Sequence, residues 1–238
     1  MSYPSPMAKT ADKATLAEIV YNKLREELLF GELPPGSKLR INEIAARQGV
    51  SPSVLREALT RLAEQGLVVA IPQRGFAVAD LSAEDLQDLT RARVLVESAA
   101  LRESIADGDL TWAATVTAAH YRLEHTLLTG SEGHVNAEWA EAHRNFHHVL
   151  LAGGKSTRLT AIADGLRDCA ELYIYWSREL AHDEMRDAAA EHREITELTL
   201  ARKADEAAQA LTTHIERTTE VLLRYDTEIR HLFTELPA

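Results

Sequence analysis

The chain has 238 residues, of which 45% are hydrophobic, and it carries a formal net charge of −11. This length suits one large or two small domains, with ample apolar content for a buried core. So acidic a chain is not expected to bind nucleic acid or anionic membranes indiscriminately. The lone Cys169 cannot form an internal disulfide, and no apolar stretch approaches the roughly 20 residues of a membrane span. We therefore expect a cytoplasmic protein with no membrane partner.

Charge and histidine are unevenly distributed along the chain. Residues 1–80 hold 10 Lys and Arg against 9 Asp and Glu, whereas residues 81–238 hold the other 16 and 28. All ten histidines lie at or after His120. We interpret this as two domains of different chemistry, at 14–80 and 81–235, preceded by a flexible leader at 1–13.

The first domain begins with a capping box, Thr15-x-x-Glu18, that predicts a helix ending before the turn residues 33–36. A short helix fits residues 42–48. Ser51 is a suitable N-cap for a third helix, with a proline in its first turn. Two apolar runs at 67–71 and 76–78, joined by a Pro-Gln-Arg-Gly turn, predict a β-hairpin. This order is typical of a winged helix-turn-helix domain with the hairpin as its wing.

The polar residues of the third helix suit DNA. Ser51 and Ser53 lie at its N-terminus, where free N–H groups and the helix dipole favour phosphate oxygens. Arg56, one turn further on, is placed to reach guanine O6 and N7. Arg74 and Gly75 are predicted to form the tip of the wing, where they are placed to contact the DNA backbone or the minor groove. An ordinary interaction module is the alternative that the pattern leaves open.

Many separate positions of this domain resemble the DNA-binding domain of the GntR family of bacterial transcriptional regulators, from about residue 17 to 78. In that family two arginines of the recognition helix are characteristic, and their positions here hold Pro52 and Arg56; the usual proline before the second is Val54. The resemblance implies binding to double-stranded operator DNA. The residues that carry it are Gly31-Glu-Leu-Pro-Pro-Gly36, Ile44-Ala45, Gly49-Val-Ser51, Leu55-Arg-Glu-Ala-Leu59, Arg61-Leu62, Gly66-Leu67-Val68 and Gly75-Phe76.

The second domain shows helical periodicity almost throughout and no strand-length alternation, so we predict an all-α bundle. The fold class is therefore mainly α. Glycine-rich breaks at 130–133 and 153–154 separate its helices. The first helix is predicted to begin after the cap Ser82 and to end at Gly108. The helices that follow are predicted to cover 110–128, 137–152, 157–180, 184–201 and 205–232.

Histidines are the chemical feature of this domain. His143 and His147 are four residues apart, so they project from one face of a helix and form a usable pair of metal ligands. His148 points about 100° away from His147 and is not expected to join them. His192 and His214 lie on two further predicted helices. The alternative is that the pair and the other histidines are scattered surface residues.

This second segment resembles the FCD effector domain of the FadR-type branch of the same family, through Arg93-x-x-x-Glu97, His143-x-x-Phe146-His147, Glu191-His192 and the stretch from Ala204 to Ile215. The resemblance implies a divalent metal held by His143, His147, His192 and His214. An all-histidine site favours Zn or Ni over Mg or Ca. It also implies a small carboxylate effector, such as a hydroxy acid or dicarboxylate, with Arg93 as its arginine. Arg93 is equally suited to an i,i+4 ion pair with Glu97.

Together these features predict a homodimeric transcriptional regulator and not an enzyme, and the family resemblance implies that it acts as a repressor of a catabolic operon. The alternative is a metal-dependent hydrolase in which the histidines activate water and Glu191 is the base. No His-Glu-x-x-His motif occurs in the sequence, and four histidines leave fewer open coordination positions than hydrolytic zinc needs.

Overall fold

The computed structural model describes residues 15–29, 32–80, 82–130, 135–180 and 187–224. The first part contains helices α1 (Leu16–Leu29), α2 (Ile41–Gln48) and α3 (Pro52–Glu64). It also contains strands β1 (Lys38–Leu39), β2 (Val68–Ile71) and β3 (Gly75–Val78). The strands form one antiparallel sheet in the order β1-β3-β2. This is the winged helix-turn-helix arrangement that the sequence predicts, with one additional strand.

Local capping explains where these helices begin and end. The Thr15 hydroxyl accepts a hydrogen bond from the Glu18 N–H at 3.2 Å, and the Ser51 hydroxyl accepts one from the Val54 N–H at 3.3 Å. Gly49 ends α2 in the left-handed conformation, with a φ of 67° that favours glycine. The tight connection from Gly49 to Ser51 therefore fixes the angle between α2 and α3.

Strand β1 is the element that the sequence analysis missed. Lys38 pairs with Ala77 and Leu39 with Phe76, so β1 covers the outer edge of the predicted hairpin. Leu39 is buried in the core of this domain. Two residues are too short to show the alternation that marks a strand, which is why no pattern predicted it.

The second part is a helical bundle, as predicted. Its helices are α4 (Ala83–Asp107), α5 (Leu110–Glu124), α6 (Ala137–Leu151), α7 (Thr157–Leu180), α8 (Ala188–Leu200) and α9 (Ala204–Arg224). Helix α5 is shorter than the predicted 110–128, because the chain leaves the helix at His125 and forms a bridge between Thr129 and Val135. Helix α8 begins later than predicted, since the Asp187 carboxylate caps it; residues 184–186 and 225–232 lie outside the described chain.

The bundle is built around α4 and α9, which pack along each other; α7 packs against both of them, and α8 packs against α9 and α5. Fully buried side chains from five helices fill its centre, and they include Leu101, Val116, Phe146, Ile195 and Leu211. None of the described helices combines the length and the apolar character needed to span a membrane.

Helix α7 also contacts the winged helix-turn-helix. Leu172 packs within the apolar core of that domain, among residues of α1, α3 and the sheet. The Gln65 amide, just after α3, donates to the Asp168 carboxylate at 3.0 Å. Gly66 has a φ of +72°, and a Cβ at this position would lie 2.9 Å from the Cys169 Sγ. The two domains thus meet along one face of a helix that belongs to the bundle.

Candidate metal centre and nucleic-acid interface

Four histidines from three helices converge inside the bundle. His143 and His147 come from α6, His192 from α8 and His214 from α9, and their ligand atoms all lie within 4.8 Å of one another. None is more than 6% exposed. Trp139, one turn before His143, stacks on its ring with 4.8 Å between centroids. The i,i+4 spacing places the α6 pair on the inward face, and the bundle packing supplies the other two.

The chemistry of His147 fits a metal ligand. Both of its ring nitrogens are buried without a hydrogen-bond partner, and the side chain is completely enclosed. Burial, reinforced by the charge of Arg167 and by the neighbouring histidines, lowers the pKa of His147 well below its usual value. The imidazole is therefore neutral at physiological pH, which is the form that coordinates an ion. An unsatisfied buried polar group costs free energy, and a bound cation would remove that cost.

A hydrogen bond to the Glu191 carboxylate orients the His214 ring. The Glu191 carboxylate accepts a hydrogen bond from the His214 Nδ1 at 2.8 Å and another from the Arg217 guanidinium at 3.0 Å. Donation from Nδ1 fixes the tautomer that carries the lone pair on Nε2. Both Glu191 oxygens are thereby committed as acceptors, so this carboxylate is not placed to act as the base of a hydrolase.

Arg93 lies beside the histidines and is also ion-paired. Its Nε donates to Glu97 at 2.6 Å, and Arg167 from α7 donates to the other Glu97 oxygen at 3.2 Å. Glu97 is fully buried; burial alone would raise its pKa, but the two guanidiniums hold that pKa below the usual value. Arg93 and Arg167 line a cavity of about 10 Å³ together with Ile174, Ile215, Thr218 and two residues of the histidine cluster, His143 and His214. Arg93 is therefore both an ion-pair partner of Glu97 and a residue that lines the cavity.

Sequence reasoning missed Arg167, which completes this ion-pair triad. Its partner Glu97 is 70 residues away on another helix, and no local spacing links them.

His148, four residues after Arg144, points away from the cluster as predicted and pairs at the surface with Asp164, 3.0 Å away. The described part of the chain thus contains one histidine cluster, with two arginines beside it.

The candidate DNA-contacting residues lie at two places in the first domain, at the start of α3 and at the turn between β2 and β3. Ser51, Ser53 and Arg56 are exposed along the N-terminal half of α3. Arg74 is exposed at the turn between β2 and β3, and Gly75 follows it with a φ of 98°. In helix-turn-helix proteins the N-terminal residues of the recognition helix contact base edges in the major groove, and the residues at the corresponding place in α3 are exposed.

Comparison with known proteins matches two families to two separate parts of the chain. Residues 16–78 match the family described as "Bacterial regulatory proteins, gntR family", and residues 88–217 match the "FCD domain" family. An uncharacterized HTH-type transcriptional regulator, BphR of Paraburkholderia xenovorans, is 31% identical over 93% of this chain and 90% of its own. The HTH-type transcriptional repressor GlaR of Escherichia coli is 29% identical over 82% of this chain and 90% of its own.

Solved structures share the fold. A putative transcriptional regulator, GntR, from Rhodococcus sp. RHA1 aligns with a TM-score of 0.69 at 26% identity, covering 87% of this chain and 97% of that one. Escherichia coli McbR/YncC aligns at 0.73 with 19% identity, covering 89% and 99%, which is a likeness of fold alone. Such matches along nearly the whole chain overturn the hydrolase alternative. The chain belongs to the GntR family of DNA-binding transcriptional regulators and carries an FCD domain as its second half.

Proposed function

We propose that this regulator is a cytoplasmic, homodimeric repressor of a catabolic operon, released from its operator by a small carboxylate bound beside a metal ion. The observation that carries the proposal is the convergence of four buried histidines next to a cavity lined by two arginines. The relatives GlaR and RspR of Escherichia coli are named as transcriptional repressors, which supports the polarity.

His143, His147, His192 and His214 would hold the ion. Four neutral imidazoles suit Zn or Ni better than Mg or Ca, which prefer oxygen ligands. When bound, the ion supplies positive charge for a desolvated carboxylate. Arg93 and Arg167 place two guanidiniums at the same cavity with one shared carboxylate, Glu97, so the pocket retains an excess of positive charge. A buried carboxylate needs such a partner to offset its desolvation.

The exposed N-terminal half of α3 would enter the major groove. In a homodimer, two such helices meet successive major grooves about 34 Å apart, so the operator has two-fold symmetry. Arg56 reads a base edge, whereas Ser51, Ser53, Arg74 and Gly75 position the domain on the backbone. The effector acts through a difference in affinity between the arrangements that bind DNA and those that do not.

Metal analysis of the purified protein combined with mobility shift on the upstream intergenic DNA tests the proposal. Arg56→Ala should weaken specific binding by about 1–3 kcal/mol, because the bidentate base contact is lost. Arg91→Ala is the matched control, since this arginine is exposed in the bundle and pairs only locally with Asp88. A protein that holds no metal and does not shift that DNA at low salt would refute the proposal.

His192→Ala separates sensing from DNA binding. We expect this variant to lose metal and effector response while its intrinsic DNA affinity is kept, because His192 lies in the bundle and not on α3. If the variant unfolds, the histidine cluster is instead a site whose metal stabilises the fold. His148→Ala, at the surface of the same bundle, should change neither property.

A further inference from the structure

A side-chain amide bridges the end of α3, the helix of the candidate DNA-contacting residues, to helix α7 of the bundle. Gln65 is the C-cap residue of α3, and its Nε2 donates to the Asp168 carboxylate at 3.0 Å. Its Oε1 accepts a hydrogen bond from the Tyr21 hydroxyl of α1 at 2.6 Å. Because an ionised carboxylate only accepts hydrogen bonds, the Nε2 end must face Asp168, which leaves the Oε1 end for Tyr21. Partners from both domains therefore hold this amide in one orientation.

Tyr21 is itself held against α3. Its side chain is buried, and the Arg61 guanidinium lies 4.2 Å from the centroid of its ring in a cation–π contact. Arg61 lies about one helical turn before Gln65, so Tyr21 contacts α3 at two points. The Gln65 amide is thus fixed to the end of α3 on one side and to α7 on the other.

Helix α7 meets the first domain at further points beside this bridge. Glu171 pairs with Arg25 of α1, and Leu172 packs within the apolar core of the first domain. The Tyr173 hydroxyl accepts a hydrogen bond from the Ser82 N–H at 3.2 Å, where the chain enters α4. Contacts at separate points along one helix fix an angle as well as a distance, and the Gln65 contact is the one attached to the end of α3.

The angle of α3 matters because the helix acts as a lever. It has 13 residues and a length of about 20 Å, so a tilt of about 10° at its Gln65 end moves its N-terminal end by about 3.5 Å. Successive base pairs of B-DNA are about 3.4 Å apart. In a homodimer joined through the bundles, both recognition helices must reach their half-sites at once. Such a tilt in each subunit therefore changes the preferred half-site spacing by about one or two base pairs.

Building on the homodimer of the proposed function, we propose that Gln65 is a positioning residue of DNA recognition, whose amide bridge to Asp168 fixes the half-site spacing that the dimer accepts. The half-site sequence is read near the opposite end of α3, by Arg56. Spacing and sequence are thus determined by different parts of one helix. Loss of the bridge leaves the sequence preference intact and broadens the range of accepted spacings.

Selection of duplexes from a random-sequence pool by the full-length protein tests this inference, because it reports half-site sequence and spacing separately. The wild type should select a two-fold-symmetric site with one spacing. Gln65→Glu places two carboxylates against each other, so it should keep the half-site sequence and spread the selected spacings over several base pairs. Its affinity for the duplex that the wild type selects should fall by about tenfold, as expected for loss of a hydrogen bond to a charged group.

Exchanging the two polar groups should restore the bridge. In Gln65→Glu/Asp168→Asn the asparagine amide donates to the new carboxylate, the tyrosine hydroxyl still donates to it, and the net charge equals that of the wild type. Arg25 and Arg144, whose charges also act on Asp168, keep Glu171 as their partner in this variant. We expect one spacing and an affinity within about threefold of the wild type, since a charged hydrogen bond is kept.

Two further variants complete the test. Gln65→Met removes both hydrogen bonds without adding a charge, so it should broaden the spacing as Gln65→Glu does. Gln209→Glu, the same substitution at an exposed position of α9, is the matched control and should select the wild-type site.

The outcomes separate this role from simple stabilisation and from the proposed function. Gln65 variants that select only the wild-type spacing would overturn the inference, and a lower thermal unfolding temperature in them would make the bridge merely stabilising. A double variant that keeps the broad spacing of Gln65→Glu would overturn it as well. In both cases the wild type still selects a symmetric site, and the proposed function stands. A wild type that selects no DNA, or only an isolated half-site, would refute the proposed homodimer together with this inference.

Discussion

Glu97 is a fully buried charge of the described bundle, and we expect Glu97→Gln to destabilise the bundle strongly. The carboxylate is fully enclosed and joins Arg93 of its own helix to Arg167 of α7 at 2.6 and 3.2 Å. Removing one partner of a buried pair costs about 3–5 kcal/mol, since the remaining charge is left uncompensated. The glutamine oxygen still accepts one of the two hydrogen bonds, so we expect the lower end, about 3 kcal/mol.

Urea unfolding followed by tryptophan fluorescence measures this directly. All three tryptophans, at 112, 139 and 176, belong to the bundle, so the signal reports on that domain. Asp88→Asn is the matched control because its pair with Arg91 on the same helix is exposed, and such pairs contribute less than about 1 kcal/mol. A Glu97→Gln variant as stable as Asp88→Asn would refute the argument that this triad holds α4 to α7.

Three further outcomes follow from the same contacts. The stability difference between wild type and Glu97→Gln should shrink as the pH falls below about 4.5, because the folded-state pKa of Glu97 is depressed and its contribution is lost on protonation; unfolding curves at a series of pH values check this. Glu191→Gln should lower the affinity for Zn by about 10–100-fold, because the carboxylate that orients a ligand histidine is lost. Glu194→Gln, at an exposed position of the same helix, should leave that affinity unchanged. Competition with a chromogenic chelator measures the Zn affinity of both variants. Gly66→Ala should lower the thermal unfolding temperature, because residue 66 has a φ of +72° and the added Cβ would meet the Cys169 thiol at 2.9 Å. Gly165→Ala should raise the unfolding temperature slightly, because this glycine is helical and has open space around it.

The sequence predicted those parts of the fold that depend on local signals. Ser51 and Ser82 both cap the helices that their positions predicted, with hydrogen bonds to the N–H three residues later. The limits of α7 agree with the prediction as well. Strand β1 was missed because it exists only through its pairing with β3, and pairing partners are not visible in a two-residue segment.

The candidate site was predictable only in part. The spacing of His143 and His147 fixes their common face, but their meeting with His192 and His214 depends on the packing of α6, α8 and α9, for which only the family resemblance gave a guide. Glu191 was considered as a base, and the structure instead commits it to His214 and Arg217. Long-range ion pairs of this kind carry no periodicity, so a single sequence does not indicate them.

Helix α7 offers a physical route by which the proposed effector in the bundle would affect the DNA-binding domain. Arg167 lines the cavity beside the histidines and holds Glu97, while the next residue, Asp168, accepts the hydrogen bond from Gln65 beside α3. Glu171 and Leu172, the next positions on the same face of α7, contact α1 and the apolar core of the first domain. A ligand that shifts α7 through Arg167 would therefore also shift these contacts. Coupling between sites requires an element that both sites bias, and residues 167–172 of α7 contact both the cavity and the first domain.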